Sequence, residues 1–258
     1  MILKFYKYQG TGNDFIIVDA REKAFQATST TIANLCHRHM GIGADGLMIL
    51  SLEAGYDFRM TYYNSDGNES TMCGNGGRCM VAFAKQLGLV KAIAKFIAID
   101  GEHDASIDEH NQVKLHMKDV DDIQFYDTYT LLNTGSPHYV KWIKDPALCD
   151  VVQEGRSIRN EARFMPKGIN VNFAAISDQI LNVRTYERGV EDETLSCGTG
   201  VTAAAIASTC STTGKYQIQV NTPGGQLMVE FVKDRKNSAK EVYLSGPARF
   251  VFSGSIEV

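Results

Sequence analysis

The sequence lacks a basic stripe. Its 26 lysines and arginines are outnumbered by 30 aspartates and glutamates, giving a formal net charge of −4. Nucleic-acid binders cluster positive charge to neutralise phosphates, so no nucleic acid is expected as a partner. Residues 1–15 hold no apolar run of the signal-peptide type, and the longest apolar stretch, residues 80–99, is interrupted by Lys85, Lys91 and Lys95. A membrane helix needs ~20 consecutive apolar residues. The expectation is therefore a soluble, cytoplasmic protein with no membrane partner. No Cys-x-x-Cys pair occurs among the six cysteines, and Cys36 with His37 and His39 lacks further ligands at zinc-site spacing. Disulfide frameworks belong to short secreted chains, not to one of 258 residues. Neither a metal site nor a disulfide scaffold is expected, and most of the cysteines read as small buried core residues. No pyridoxal lysine motif is evident either, so the expected cofactor set is empty.

What the sequence does have is a repeat. Hydrophobic residues make up 44% of the chain, enough for one large domain or two ordinary ones. Cys73-Gly74-Asn75-Gly76-Gly77 runs into Arg78-Cys79-Met80-Val81-Ala82, and Cys197-Gly198-Thr199-Gly200 runs into Val201-Thr202-Ala203-Ala204-Ala205. The two cysteines lie 124 positions apart (73 to 197). Thr11-Gly12 recurs as Thr134-Gly135, and Tyr63-Asn64 matches Tyr186-Glu187, both at an offset of 123 (11 to 134, 63 to 186). Several weak matches at a common offset carry far more than any one of them.

Each copy offers the same order of elements. Apolar or alternating runs predict strands over 2–8, 15–18, 47–52 and 57–63 in the first copy. The second predicts them over 139–143, 171–176, 181–186, 218–220 and 227–232. Turn signals at Asn111-Gln112 and Pro223-Gly224-Gly225 suggest antiparallel hairpins. Helices over 74–87 and 198–212 are small or apolar nearly all round, so each must be buried, with Cys79 and Cys210 as packing residues. Residues 30–39 and 146–160 read as outer helices. The expected class is α/β (α+β): two pseudo-symmetric copies of a mostly antiparallel sheet wrapped around a central helix.

The two Cys-Gly-x-Gly turns carry the chemistry. A helix N-terminus presents N–H groups without intrahelical partners and a partial positive charge. Glycines let a ligand approach that backbone, and the same field favours thiolate over thiol. One such turn is a weak signal. Two in a duplicated chain suggest two sulfurs flanking one carbon, with two helix starts holding one carboxylate. Inverting a Cα centre needs a base on one face and an acid on the other, plus donors for the charge that develops on the carboxylate.

At this point the residues resemble the diaminopimelate epimerase family, over nearly the whole chain. The resemblance rests on Gly10-Thr11-Gly12-Asn13-Asp14-Phe15, Gly41-Ile42-Gly43-Ala44-Asp45-Gly46, Tyr63-Asn64-Ser65-Asp66-Gly67 and Cys73-Gly74-Asn75-Gly76-Gly77-Arg78-Cys79. It continues through Ser136-Pro137-His138, Asn170-Val171-Asn172-Phe173, Tyr186-Glu187-Arg188-Gly189 and Cys197-Gly198-Thr199-Gly200. It implies cofactor-independent epimerisation of LL-diaminopimelate to the meso form in lysine biosynthesis. It also implies a homodimer whose active site lies in a cleft between two similar domains. Here those would be residues 1–120, completed by a C-terminal strand over 248–258, and residues 121–247. Cys73 and Cys197 match the thiol pair, and Gly74, Asn75, Gly198 and Thr199 match the positions that hold the reacting carboxylate. Glu187 matches the residue that helps bind the reacting amino group, and His138 a histidine that tunes the thiols. Asn13, Asn64, Asn170 and Arg188 match the residues that recognise the distal end, where the planar guanidinium suits a carboxylate.

Local sequence alone gives each residue a plainer role. Asn64 before Ser65-Asp66-Gly67 is as readily a turn former, and Asn13 and Asn170 are as readily backbone caps. His138 is as readily a satisfied core histidine, and Glu187 with Arg188 a solvated ion pair. The chain also departs from the family pattern: Ser136 stands where many members have asparagine, and Gly46 where some have glutamine. Two alternatives stay open, a proline or hydroxyproline racemase of the same fold and a non-catalytic amino-acid-binding protein.

Overall fold

A computed structural model of the chain describes residues 2–209 and 213–258. Cys210 and the end of the helix expected over 198–212 lie outside the described residues. The chain divides into two units, residues 1–115 with 246–258, and residues 116–245.

In the first unit β1 (Ile2–Gly10) turns through Thr11 and Gly12 into β2 (Asn13–Asp19). Both turn residues have positive φ, 50° and 83°, which matches a two-residue hairpin to the twist of its strands. α1 (Ser29–Cys36) starts at Thr28, whose hydroxyl accepts from the Thr31 N–H at 3.2 Å. The crossover through α1 lets β3 (Gly46–Ser51) lie parallel to β2. β4 (Phe58–Asn64) and β5 (Glu69–Ser70) then fold back antiparallel in turn. Gly67 closes the hairpin between them at φ +86°, where a Cβ would lie 2.0 Å from the Ser29 carbonyl oxygen. α2 (Gly74–Gln86) follows, and β6 (Ile93–Ala98) returns parallel to β4. β7 (Gly101–Ile107) and β8 (Gln112–His116) extend the sheet antiparallel, and the C-terminal strand Arg249–Glu257 pairs antiparallel with β1.

The second unit repeats this pairing by pairing. Its elements are β9 (Gln124–Phe125), β10 (Tyr129–Asn133), β11 (Pro137–Trp142), α3 (Val151–Arg159), β12 (Asn170–Ser177) and β13 (Ile180–Glu187). β14 (Asp192–Thr194), α4 (Gly198–Ser208), β15 (Gly214–Thr222), β16 (Gly225–Lys233) and β17 (Lys240–Pro247) complete it. β11 with β12 and β13 with β15 are parallel, as β2 with β3 and β4 with β6 are, while the remaining neighbours are antiparallel. Register repeats too. Tyr63 faces Leu47 and Tyr186 faces Val171, while Phe58 faces Phe96 and Leu181 faces Val220. The fold is two copies of a mostly antiparallel sheet around a helix.

Both central helices are buried as their composition demands. Every residue from Gly74 to Ala84 is buried in α2, and in α4 Thr199 and Ser208 are the residues with partial exposure. The outer helix expected over 146–160 is a correction. A 3-10 turn, Pro146–Leu148, ends at extended Cys149, and α3 starts afresh from Asp150, whose carboxylate accepts from the Gln153 N–H at 3.0 Å. A capping aspartate competes with the helix that would run through it. The strand expected over 218–220 is the nine-residue β15, longer because its polar residues alternate on an exposed face. The apolar run 80–99 holds two elements, the end of α2 and the unforeseen β6.

Candidate active site

In the first unit, Cys73 is the N-cap of α2, with extended backbone and no side-chain capping bond. The helix ladder begins with the Gly77 N–H donating to the Cys73 carbonyl at 2.7 Å. A thiol therefore sits at the positive end of a helix whose opening turn has no carboxylate or hydroxyl cap. Cys73 Sγ lies 3.7 Å from Asn13 Oδ1. That oxygen also accepts from Asn75 Nδ2 at 3.3 Å, and Asn13 Nδ2 donates to Asp45 Oδ2 at 2.6 Å. Asn75 Oδ1 accepts from Arg78 at 3.0 Å. The chain thus ends in a donor-only guanidinium and an acceptor-only carboxylate, which fixes the orientation of both amides. Arg78 also donates to Thr11 Oγ1 at 3.2 Å and the Gly74 carbonyl at 3.3 Å. It is 0% exposed, and burial pulls its pKa below the ordinary guanidinium value. Behind Asn13, Asp14 pairs with Lys7 at 2.7 Å and Arg38 at 2.8 Å. Burial raises the Asp14 pKa, but the hydrogen bonds from Arg38 and Lys7 prevail and bring it to about 2.

In the second unit, Cys197 is the N-cap of α4, again extended and again without a side-chain capping bond. Its Sγ lies 3.5 Å from Thr199 Oγ1, which is 2.9 Å from His138 Nε2. Asn172 Nδ2 stands 3.1 Å from His138 Nδ1 and donates to the Tyr139 carbonyl at 3.2 Å. Thr185 Oγ1 donates to Asn172 Oδ1 at 3.0 Å. His138 is 0% exposed, and burial first, then the positive field of Arg188, lower its pKa from 6.5 to about 3. The imidazole is neutral at physiological pH.

The other residues singled out in the sequence have partners of their own. Gly74 and Gly198 are the first residues of the two helices. Asn170 Nδ2 donates to Ser136 Oγ at 2.8 Å, and its Oδ1 accepts from the Arg188 N–H at 2.9 Å. The Arg188 guanidinium reaches Ser136 Oγ at 3.4 Å and the Lys167 carbonyl at 3.4 Å. Ser136 is thus the meeting point of Asn170 and Arg188. Glu187 accepts from Thr194 Oγ1 at 3.0 Å. Asn64 is exposed, and its backbone closes the hairpin turn with Gly67 and Asn68. Gly46 has a packing cause, since a Cβ there would lie 2.6 Å from the Tyr63 carbonyl oxygen. Sequence reasoning did not single out Arg78, Asn172 or Thr185. The available signals were a lone arginine in an apolar helix and two asparagines on one face of an apolar strand.

A family model described as diaminopimelate epimerase matches residues 5–121 and 130–251. The chain belongs to the diaminopimelate epimerase family. It is 50% identical over 258 residues to the diaminopimelate epimerase of Flavobacterium psychrophilum, covering 98% of this chain and 100% of that one. It is 41% identical over 260 residues to that of Chlorobaculum tepidum, covering 96% and 98%. Among solved structures it resembles a phenazine biosynthesis protein of the PhzF family from Bacillus anthracis, with a TM-score of 0.80 at 14% identity and full coverage of both chains. It also resembles a hydroxyproline epimerase from Agrobacterium vitis, with a TM-score of 0.72 at 12% identity, covering 99% and 92%. At such identities the likeness speaks for the fold alone. Family and relatives place the chain among the isomerases.

Proposed function

We propose that the chain interconverts LL- and meso-diaminopimelate by carrying one proton off and another onto a single Cα, with Cys73 and Cys197 as the two acid–base groups, in lysine biosynthesis. The observation that carries this reading is a thiol at the start of an uncapped buried helix, once in each copy of the fold. One sulfur, as thiolate, takes the Cα proton, and the C–H electron pair spreads into the carboxylate. The other sulfur, as thiol, returns a proton to the opposite face and becomes the thiolate. The product has the inverted centre, and nothing is consumed. Backbone N–H groups at Gly74–Asn75 and Gly198–Thr199 stabilise the charge that grows on the carboxylate. Glu187 takes the reacting ammonium, and Asn13, Asn64, Asn170 and Arg188 take the distal amino-acid end, Arg188 as its carboxylate fork. His138 keeps a neutral, polarised hydrogen bond near Cys197. The working enzyme is a cytoplasmic homodimer that needs no cofactor; among the described residues no helix is long and apolar enough to cross a membrane.

The test is turnover of candidate substrates by the purified protein without additions. Conversion of LL-diaminopimelate, with proline and hydroxyproline untouched, supports the reading. Conversion of a ring substrate instead would assign the chain to the racemases that share its fold, and binding without conversion would make it a binding protein.

A further inference from the structure

The two copies share strand order, register and helix, yet they fill the space beneath the helix start with opposite chemistry. In the first copy Met48 faces Tyr62 across β3 and β4, and Phe15 packs edge-on to Tyr62 with ring centroids 6.0 Å apart. In the second, Asn172 faces Thr185 across β12 and β13, and His138 occupies the place of Phe15. The first copy demonstrates that this fold packs with apolar residues at these places. A buried chain of polar groups is costly unless every member is satisfied, and offers the fold nothing that Phe and Met do not. Polar residues at these sheet positions in the second copy alone call for a purpose.

The chain has a direction. Asn172 Nδ2 donates to the Tyr139 carbonyl, an acceptor only, while Asn172 Oδ1 accepts from the Thr185 hydroxyl. Flipping the amide would set oxygen against oxygen, so nitrogen is the atom that meets His138 Nδ1. Nδ1 therefore accepts, and in the neutral ring the proton resides on Nε2, which donates to Thr199 Oγ1. With its oxygen taken as acceptor, the Thr199 hydroxyl has its proton to give, and Cys197 Sγ is 3.5 Å away. Gly200 belongs to the same construction, because a Cβ there would lie 2.3 Å from Asn172 Oδ1.

We propose that Asn172 and Thr185 are positioning residues for Cys197: they hold His138 in its Nε2-protonated neutral tautomer, so that Thr199 presents a hydroxyl proton to Cys197 Sγ. A donor at the sulfur favours thiolate over thiol. Cys73 meets the reverse, because Asn13 Oδ1 can only accept and so favours the protonated sulfur. The field of Arg188 acts on His138, and Glu187 lies on the same face of β13 as Thr185. The inference rests on the proposed role of the two thiols, but its test needs no substrate.

Two measurements decide it. Two-bond 1H–15N correlation spectra of the imidazole ring, in the wild-type protein, are expected to show His138 neutral with the proton on Nε2. Alkylation by iodoacetamide, followed site by site with mass spectrometry across pH, is expected to show Cys197 reacting as thiolate at lower pH than Cys73. Asn172→Asp keeps the shape but turns the contact at Nδ1 into an acceptor, and is expected to raise the Cys197 midpoint by roughly one pH unit. The Cys73 profile should stay in place, and Asn172→Met, the residue of the first copy, should move Cys197 in the same direction. A protonated Nδ1 in the wild type overturns the proposal whatever the variants do. So does an unmoved Cys197 profile in folded Asn172→Asp. A protein that epimerises diaminopimelate with the other tautomer fails this inference alone, and one with the expected tautomer but no turnover fails the functional reading alone.

Discussion

Cys73 and Cys197 occupy the same place in two copies of one fold, and their surroundings differ at the atom each sulfur meets. The Cys73 half is anchored by charge: Arg78 at one end of an amide chain, Asp45 at the other, and a carbonyl oxygen at the sulfur. The Cys197 half is anchored by neutral groups, with a hydroxyl at the sulfur. The arginine position itself illustrates the contrast. Arg78 corresponds to Thr202, whose hydroxyl donates to the Gly198 carbonyl at 2.9 Å, while Arg78 donates to Gly74. Duplication supplies the pair of thiols, and divergence at a few positions gives the two sulfurs different neighbours.

The comparison breaks most visibly at the helix glycines. Gly200→Ala would force a methyl against Asn172 Oδ1 at 2.3 Å, whereas at Gly76 the nearest atom is the Met48 sulfur at 3.0 Å, the end of a flexible side chain. Gly200→Ala is expected to lose about 1–3 kcal/mol in urea unfolding and most of the activity, and Gly76→Ala distinctly less. Equal losses would mean that the two helix starts are packed alike. A gentler change sharpens the same point. The double variant His138→Phe, Asn172→Met places the counterparts of Phe15 and Met48 in the second copy. Thermal unfolding should place its stability about 1–2 kcal/mol below wild type, because His138 and Asn172 leave together but the Thr185 hydroxyl loses its acceptor. Its turnover should fall about a hundred-fold. A collapse of stability would make the polar chain structural.

Acid should separate the two units. His138 is buried neutral with a pKa of about 3 against an ordinary 6.5, so the unfolded chain binds the proton first as pH falls. Its contribution to stability is whole above pH 6.5 and is lost between 6.5 and about 3. In the first unit Asp14, held at about 2 against 3.8, keeps its contribution whole down to pH 3.8 and loses it between 3.8 and about 2. Hydrogen exchange followed by mass spectrometry at pH 5 should therefore show β11, β12 and α4 losing protection before β1 and β2, and His138→Phe should remove the difference. Equal loss in both units would count against a neutral buried His138. The smallest effect is expected at Cys79, fully buried within α2 with its thiol pKa pushed up to about 12, burial being the main cause. Cys79→Ala should cost about 1 kcal/mol and leave turnover within about two-fold, as suits a packing residue.

Much of this was legible in the sequence. The common offset announced two copies, and the apolar helices announced burial, because both are properties of spacing and composition. The Cys-Gly-x-Gly turns located the thiols. What the sequence withheld was pairing at right angles to the chain. Nothing in Asn170-Val171-Asn172-Phe173 tells the two asparagines apart, yet one bonds Ser136 and the backbone of Arg188 while the other orients His138. Arg78 is a lone charge in a helix expected to be buried, and nothing in the sequence names the groups it bonds there, Thr11, Asn75 and the Gly74 carbonyl. Gly46, read as a departure from the family pattern, packs against the neighbouring strand, which leaves no room for a Cβ. β6 and the length of β15 were hidden for a simpler reason, since the first lies inside an apolar run and the second alternates with a polar face.

The claim that both copies take part in one proton transfer is tested most directly in heavy water. LL-diaminopimelate would be incubated with wild type, Cys73→Ala and Cys197→Ala, following both epimerisation and deuterium at Cα. The account predicts meso product bearing solvent deuterium at the inverted centre for wild type, and loss of epimerisation by a thousand-fold or roughly so in each single variant. Turnover surviving in either variant, or wild-type product that retains its original hydrogen, would contradict it.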